Sequence, residues 1–270
     1  MRIPLQFDRA ESFSEGLARV TDPAGVRFID QTGKSVIDMN VVRWAGKPLS
    51  PFEDFSEGLA PVSTPEDPRR MGFIDRAGRI AIEPRFAWAY GFQGGFAKVE
   101  VGGPPDRTGG IIDRQGTFVI PPRYRLLGLM NGGLASFTSG DGKRGFLNER
   151  NEVAIQPVYD FVGGFSEGLC PVKRAERWAY IDRAGREVVT LPAETRYAGS
   201  FAEGLAQIES DLGWSFVRRD GMPAFGAYFR RADRFVDGLA RVVLDGRYVG
   251  YVNREGRLVY QSEKQFPMLR

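Results

Sequence analysis

The stretch that decides the fold is FSEGLAPV at residues 55–62, because close copies of it return throughout the chain. The other copies are FSEGLARV at 13–20, FQGGFAKV at 92–99, MNGGLASF at 130–137, FSEGLCPV at 165–172, FAEGLAQI at 201–208 and FVDGLARV at 235–242. They recur with a mean period of about 37 residues, which is typical of tandem structural repeats. We therefore predict one repeat domain over residues 1–270, with repeats beginning near 13, 55, 92, 130, 165, 201 and 235.

Two further segments follow in each repeat. The second reads FIDRAG at 73–78 and YIDRAG at 180–185, and the third reads IAIEPRF at 80–86 and VAIQPVY at 153–159. An Asp-x-x-Gly step suits a tight hairpin turn in which aspartate caps the turn and glycine takes a positive φ. The third segment alternates like a half-buried strand, and its proline is expected to end ladder pairing. Each repeat is therefore predicted to hold three short antiparallel strands, with the core built between stacked neighbours.

Composition narrows the function classes. The chain has no histidine, one cysteine and a formal net charge of +3. Catalysis by Ser-His-Asp or Cys-His groups is thereby excluded, and we assign no catalytic, cofactor-binding or metal-ligating residue. No apolar run is long enough for a membrane span, and the N-terminal residues lack the apolar stretch of a signal peptide. We expect a cytoplasmic protein without a membrane or nucleic-acid partner, since the net charge is too small by itself to indicate nucleic-acid binding.

At this point the repeat resembles the WG-repeat family of bacterial proteins. The family's order of segments recurs over nearly the whole chain, although its naming dipeptide is eroded: Gly72, Gly110, Gly145 and Gly250 keep the glycine, while Trp178 and Trp214 keep the tryptophan. The family has no common catalytic residue. The resemblance implies a binding scaffold, and similar repeats found beside secretion and toxin–immunity systems suggest an immunity-like or secretion-associated role by association.

Two architectures fit the repeats. We favour an open twisted array, because three strands in about 37 residues fall short of the usual four-stranded propeller blade of about 40–45 residues. The alternative is a closed seven-bladed propeller, in which the N-terminal segment at residues 3–7 supplies the last strand of the seventh blade.

The recurring acids and the rarer side chains have structural interpretations that we prefer. The glutamates of the first segment and the aspartates of the second are expected to cap turns rather than form a calcium ladder. Cys170 stands at an alanine position, so we expect a buried thiol rather than a reactive one. The tryptophans Trp44, Trp88, Trp178 and Trp214 are expected to pack between repeats rather than to stack on a sugar or base.

Candidate binding residues lie where the copies differ. The loop between the first two strands is longest in repeats two and three, at residues 63–72 and 100–110. Insertions in repeat proteins often gather on the binding face. A basic cluster in the seventh repeat is a second candidate for an anionic partner. The partner-binding candidates are Arg69, Arg70, Asp106, Arg107, Arg230, Arg231 and Arg234.

The leading functional prediction is a non-enzymatic scaffold that binds a protein partner. The alternative is a module that binds cell-wall polysaccharide, which predicts aromatic side chains along one groove. An enzyme that uses carboxylates alone, as a glycosidase does, would need two such groups facing each other in a cleft.

Overall fold

A computed structural model describes residues 6–64, 66–245 and 248–265. Over these residues the chain contains no α-helix, and thus no helix able to cross a membrane. Chain contacts divide it into two compact units, one formed by Met1–Thr138 and Leu147–Glu152, the other by Ser139–Phe146 and Val153–Arg270. The boundary falls within the strand Arg144–Asn148 of the fourth repeat.

The first three repeats form three antiparallel sheets, whose strands pair in chain order. Their bounds are β1 Arg9–Ala10, β2 Leu17–Asp22, β3 Gly25–Asp30 and β4 Ser35–Asp38; β7 Ser50–Pro51, β8 Leu59–Ser63, β9 Met71–Asp75 and β10 Ile80–Phe86; and β11 Trp88–Ala89, β12 Ala97–Val101, β13 Thr108–Ile112 and β14 Phe118–Tyr124. A separate hairpin of β5 (Arg43–Trp44) and β6 (Lys47–Pro48) lies between the first two sheets in the sequence.

The last four repeats also form one sheet each. Their strands are β15 Leu134–Thr138, β16 Arg144–Asn148 and β17 Val153–Tyr159; β18 Phe161–Val162, β19 Cys170–Arg174, β20 Arg177–Ile181 and β21 Glu187–Thr190; β22 Tyr197–Ala198, β23 Leu205–Ser210 and β24 Gly213–Arg218; and β25 Arg231–Ala232, β26 Leu239–Val243, β27 Tyr248–Asn253 and β28 Leu258–Gln265. The prediction of an all-β chain with one small sheet per repeat is therefore confirmed.

The prediction of three strands per repeat is wrong for most repeats. Within the described residues five sheets have four strands and two have three. The strand missed from the sequence is a two-residue strand ahead of the FSEG segment, such as β11, which pairs Trp88 with Glu100. Two residues are too short to show an alternating pattern. With four strands per sheet, the objection that a repeat is too small for a propeller blade no longer holds.

The predicted role of proline in the third segment is also wrong. β10 continues through Pro84 to Phe86, and its register against β9 shifts there instead of ending. The resulting bulge presses the backbone onto Gly72, where an added Cβ would lie 2.4 Å from the carbonyl oxygen of Ile82. At Gly145 an added Cβ would likewise lie 2.4 Å from the carbonyl oxygen of Ile155. The close approach of the third strand therefore requires glycine at both positions.

The last sheet does not need a strand from the N-terminus. The tail of the chain forms β28, which pairs with β27 from Tyr248 to Val252. In the segment at residues 3–7, which the closed-propeller alternative would use as a latch, residues 3–5 lie outside the described residues. Phe7 packs against Ala18, Val20 and Ile29 of the first repeat.

The cores lie between successive sheets, as stacking of incomplete units requires. In the first unit, Phe73 and Ile82 of one repeat pack against Phe92, Ala97 and Val99 of the next. In the second unit an equivalent cluster joins Tyr180 and Val189 to Phe201, Ala206 and Ile208. The small residue after Gly-Leu is buried in each repeat, which confirms the expectation of close packing.

Candidate interaction surfaces

The aspartates of the second segment cap their own turns, as predicted. Asp75 Oδ1 accepts hydrogen bonds from the backbone N–H groups of Ala77 and Arg79, each at 2.9 Å, and Gly78 closes the turn at φ 75°. Asp182 repeats the arrangement, and hydrogen bonds from the Arg186 side chain and backbone hold the pKa of this carboxyl below its ordinary value. These acids therefore have a structural role that fully explains their recurrence.

The glutamates of the first segment also cap turns, but in the neighbouring repeat. The carboxylate of Glu57 accepts the N–H groups of Gly94 and Gly95, at 2.5 and 2.8 Å, on the turn of the third repeat. Glu15 accepts the N–H groups of Glu57 and Gly58 in the same way. In the second unit, the carboxylate of Glu167 accepts the N–H group of Gly204, and that of Glu203 accepts the N–H group of Gly238. The recurring glutamate is thus a link between repeats.

Serine and arginine reinforce this link. The hydroxyl of Ser56 donates to the carbonyl oxygen of Phe92 in the next repeat at 2.5 Å, and Ser166 donates to Phe201 at 2.7 Å. In the opposite direction, Arg219 of the sixth repeat donates to the carbonyl oxygen of Glu167 at 2.9 Å. The FSEG segment therefore joins repeats, and its acids are engaged by backbone donors.

Cys170 and the tryptophans are packing residues, as expected. Cys170 is fully buried, and burial raises the pKa of its thiol to about 12. Trp178 is 5% exposed and lies between the rings of Phe161 and Tyr197, with centroids 5.3 and 5.9 Å away. Trp44, Trp88 and Trp214 each pack against a core cluster. Tilted and edge-on rings of this kind leave no flat platform for a sugar.

The two long loops differ in how far they are anchored. In the second repeat, Arg70 lies over the ring of Trp44 at 5.1 Å from its centroid, while Arg69 is exposed. In the third repeat, Arg107 pairs with Glu100 at 3.2 Å, while Asp106 is exposed. The loops join β8 to β9 and β12 to β13, so each lies at the same end of its own sheet. Arg69 and Asp106 are the loop candidates whose side chains make no ion pair or ring contact within the described residues.

The basic cluster of the seventh repeat is largely balanced by acids. Arg230 lies 3.6 Å from Asp245, and Arg231 lies 3.8 Å from Asp233. Arg234 is exposed. Paired charges at a surface contribute little to binding, so this cluster is a weaker anion site than its sequence suggests.

A surface missed from the sequence is the outer face of the seventh repeat. Leu239, Tyr251 and Tyr260 occupy positions that are buried in the repeats that a next repeat covers, yet they are 39%, 36% and 56% exposed. The equivalents in the fifth repeat, Leu169, Tyr180 and Val189, are 6%, 0% and 4% exposed. We call these three side chains the terminal face. The repeat motifs align these positions, but only the structure shows that those of the seventh repeat are exposed.

Comparison with known proteins identifies the family to which the repeat belongs. A family model described as WG containing repeat matches residues 1–21, 71–103, 110–142, 145–178 and 214–248, more than half of the chain. The chain belongs to the WG containing repeat family. A comparison with curated proteins returned no match.

Several solved structures share the fold at low sequence identity. BamB from Moraxella catarrhalis is 11% identical with a TM-score of 0.50, over 95% of this chain and 88% of that one. A eukaryotic initiation factor is 11% identical with a TM-score of 0.58, over 94% and 75% of the two chains. The computationally designed protein Ika8 is 10% identical with a TM-score of 0.50, over 93% and 85%. The similarity is to propeller-like folds and concerns the fold alone.

Proposed function

We propose that this WG-repeat chain is a non-catalytic scaffold that binds a protein partner through the terminal face of its seventh repeat. The exposure of Leu239, Tyr251 and Tyr260 is the observation that carries the proposal. Contiguous exposed apolar side chains on a folded protein mark interaction sites.

The contacts between repeats indicate the chemistry of the partner. In the second unit, Phe235 of the seventh repeat seats its ring 4.9 Å from Phe216 of the sixth, in an edge-on arrangement. Tyr251 is the equivalent of Phe216 and is 36% exposed. We expect a partner segment that places an aromatic ring on Tyr251 and small apolar side chains beside Leu239.

Site-specific cross-linking tests this proposal. A photoreactive phenylalanine derivative at Tyr260 is expected to capture a protein in the source cell, through a peptide that carries an aromatic residue. The same group at Val188, which is 49% exposed in the fifth repeat, provides the matched control. Tyr251→Arg is expected to weaken capture by more than about tenfold, because a buried aromatic anchor commonly contributes about 2 kcal/mol or more. Equal capture at Tyr260 and Val188, or capture that Tyr251→Arg leaves unchanged, would contradict the proposal.

We also propose that the long loops of repeats two and three form a second contact region. The exposure of Arg69 and Asp106 supports this, since neither side chain is engaged in an ion pair within the described residues. Trimming both loops to the length of the fifth-repeat hairpin is expected to reduce partner binding and leave folding intact. Unchanged affinity would remove the loops from the interface.

The arrangement of the repeats as an open array remains our proposal. The exposed terminal face supports it, because the equivalent face of an inner repeat is covered by a neighbour. Small-angle scattering in solution would distinguish an elongated particle from the ring of a closed propeller.

A further inference from the structure

A solvent-open cavity of about 500 Å³ lies between the turns of the sixth and seventh repeats. Its lining comes from the second unit alone and comprises Gly204, Leu205, Arg218, Arg219, Asp220, Arg254 and Glu255. A volume of this size is in the range of small-molecule sites. Three arginines against two acids leave the lining with an excess of one positive charge.

In the sixth repeat, Arg218 occupies the position of the residue that caps the turn in the other repeats. The equivalent positions hold an acceptor in the other repeats: Asp30, Asp75, Asp113, Asn148, Asp182 and Asn253. Arginine cannot accept a hydrogen bond, and Asp220 Oδ1 instead accepts the N–H of Met222 at 2.9 Å. Among the described residues, the guanidinium of Arg218 makes one hydrogen bond, to the carbonyl oxygen of Pro223 at 2.9 Å. Its remaining N–H groups are available to a ligand.

Arg254 is a second guanidinium without an acidic partner. Its equivalent in the sixth repeat, Arg219, is held by the carboxylate and carbonyl oxygens of Glu167. Among the described residues Arg254 makes no such bond to Glu203, although the carboxylate of Glu203 accepts the N–H of Gly238 just as that of Glu167 accepts the N–H of Gly204. Arg254 Nη2 lies 3.7 Å from the position that a Cβ of Gly204 would take, so the guanidinium packs beside the turn of the sixth repeat.

We infer that this cavity binds a small phosphate monoester. Two guanidiniums with unused donors in one lining match the two negative charges of one phosphate group, whose oxygens arginine can bind bidentately. Asp220 and Glu255 oppose longer polyphosphates by charge repulsion. The site is separate from the terminal face, so it adds to the proposed protein-binding function and does not depend on it.

The test is calorimetric titration of the full chain with glycerol 3-phosphate, with glycerol as the ligand control. Saturable binding of the ester, competition by inorganic phosphate and no binding of glycerol are expected. Absence of saturable binding up to about 10 mM, a concentration tenfold above a Kd of about 1 mM, would overturn the inference. Equal binding of glycerol would overturn it as well.

Two variants and a matched control locate the site. Arg218→Asp restores the acceptor that the other repeats use, so it should fold at least as well as the wild type, and it is expected to weaken binding by at least about tenfold through loss of charge-assisted hydrogen bonds. Arg254→Gln should weaken binding similarly without touching the cap. Arg150→Asp makes the same charge change on the exposed turn of the fourth repeat and should leave the affinity unchanged. Equal losses in all three variants would indicate a general charge effect and overturn the assigned site.

Discussion

Replacing Glu57 measures how much the hydrogen bonds between repeats contribute to stability. Its carboxylate accepts two backbone N–H groups of the third repeat, and these groups have no other acceptor in their turn. Replacement by alanine removes both bonds while the backbone stays at φ 53°, a conformation that alanine and glutamate tolerate equally poorly. The variant therefore isolates the cap from backbone strain.

We expect Glu57→Ala to lower the free energy of unfolding by about 1.5–3 kcal/mol, the range for hydrogen bonds to a charged group. In a chain of this size the loss corresponds to a fall in melting temperature of about 3–10 °C. Thermal unfolding followed by circular dichroism measures it. Glu57→Gln keeps one acceptor oxygen, so its melting temperature should lie between those of the wild type and Glu57→Ala.

Glu83→Ala is the matched control, because Glu83 is exposed on β10 and makes no hydrogen bond or ion pair within the described residues. It should change stability by less than about 0.5 kcal/mol. If Glu57→Ala costs no more than Glu83→Ala, the link between repeats is not a source of stability and the interpretation of the FSEG segment is refuted.

Three further predictions follow from single contacts. Gly72→Ala should destabilise the protein by about 1–3 kcal/mol through the clash with β10, whereas Gly103→Ala, with open space around it, should not; denaturant titration compares them. Cys170 should resist Ellman's reagent in the folded protein, since its pKa is about 12, and react on unfolding; fast reaction of folded protein would contradict its burial. The pKa of Asp182 in the folded state lies below its ordinary value of 3.8, so on acidification the carboxyl is protonated first in the unfolded state. The contribution of Asp182 to stability is therefore retained above about pH 4 and declines as the pH falls below it. Urea unfolding at a series of acidic pH values measures the decline.

Local features of the fold were predictable from the sequence because they depend on neighbours along the chain. The Asp-x-x-Gly hairpins follow from a capping carboxylate and a residue that tolerates positive φ, and even the exception, Asn151, takes φ 59° as its residue type predicts. The burial of Cys170 followed from its place in the repeat. The two-residue strands and the bulge at Pro84 did not, because their pairing partners decide them.

For the candidate sites too, the sequence predicted what depends on neighbours along the chain and missed what depends on tertiary contacts. Loop length pointed to Arg69 and Asp106, which the structure leaves exposed, but it also pointed to Arg107, which a neighbouring carboxylate engages. The basic run in the seventh repeat looked unbalanced because one acidic partner, Asp245, lies beyond β26 and far from Arg230 in the sequence.

The sequence by itself determined the repeat and its tight turns, because period and turn chemistry depend on residues close together in the chain. Only the tertiary structure decided what the shared residues do across repeats. Glu57 caps a turn 37 residues away, and Tyr251 is exposed although Tyr180, with the same motif, is buried. The physical reason is that a single repeat cannot bury its own apolar face or satisfy its own turn, so the neighbour determines the fate of both.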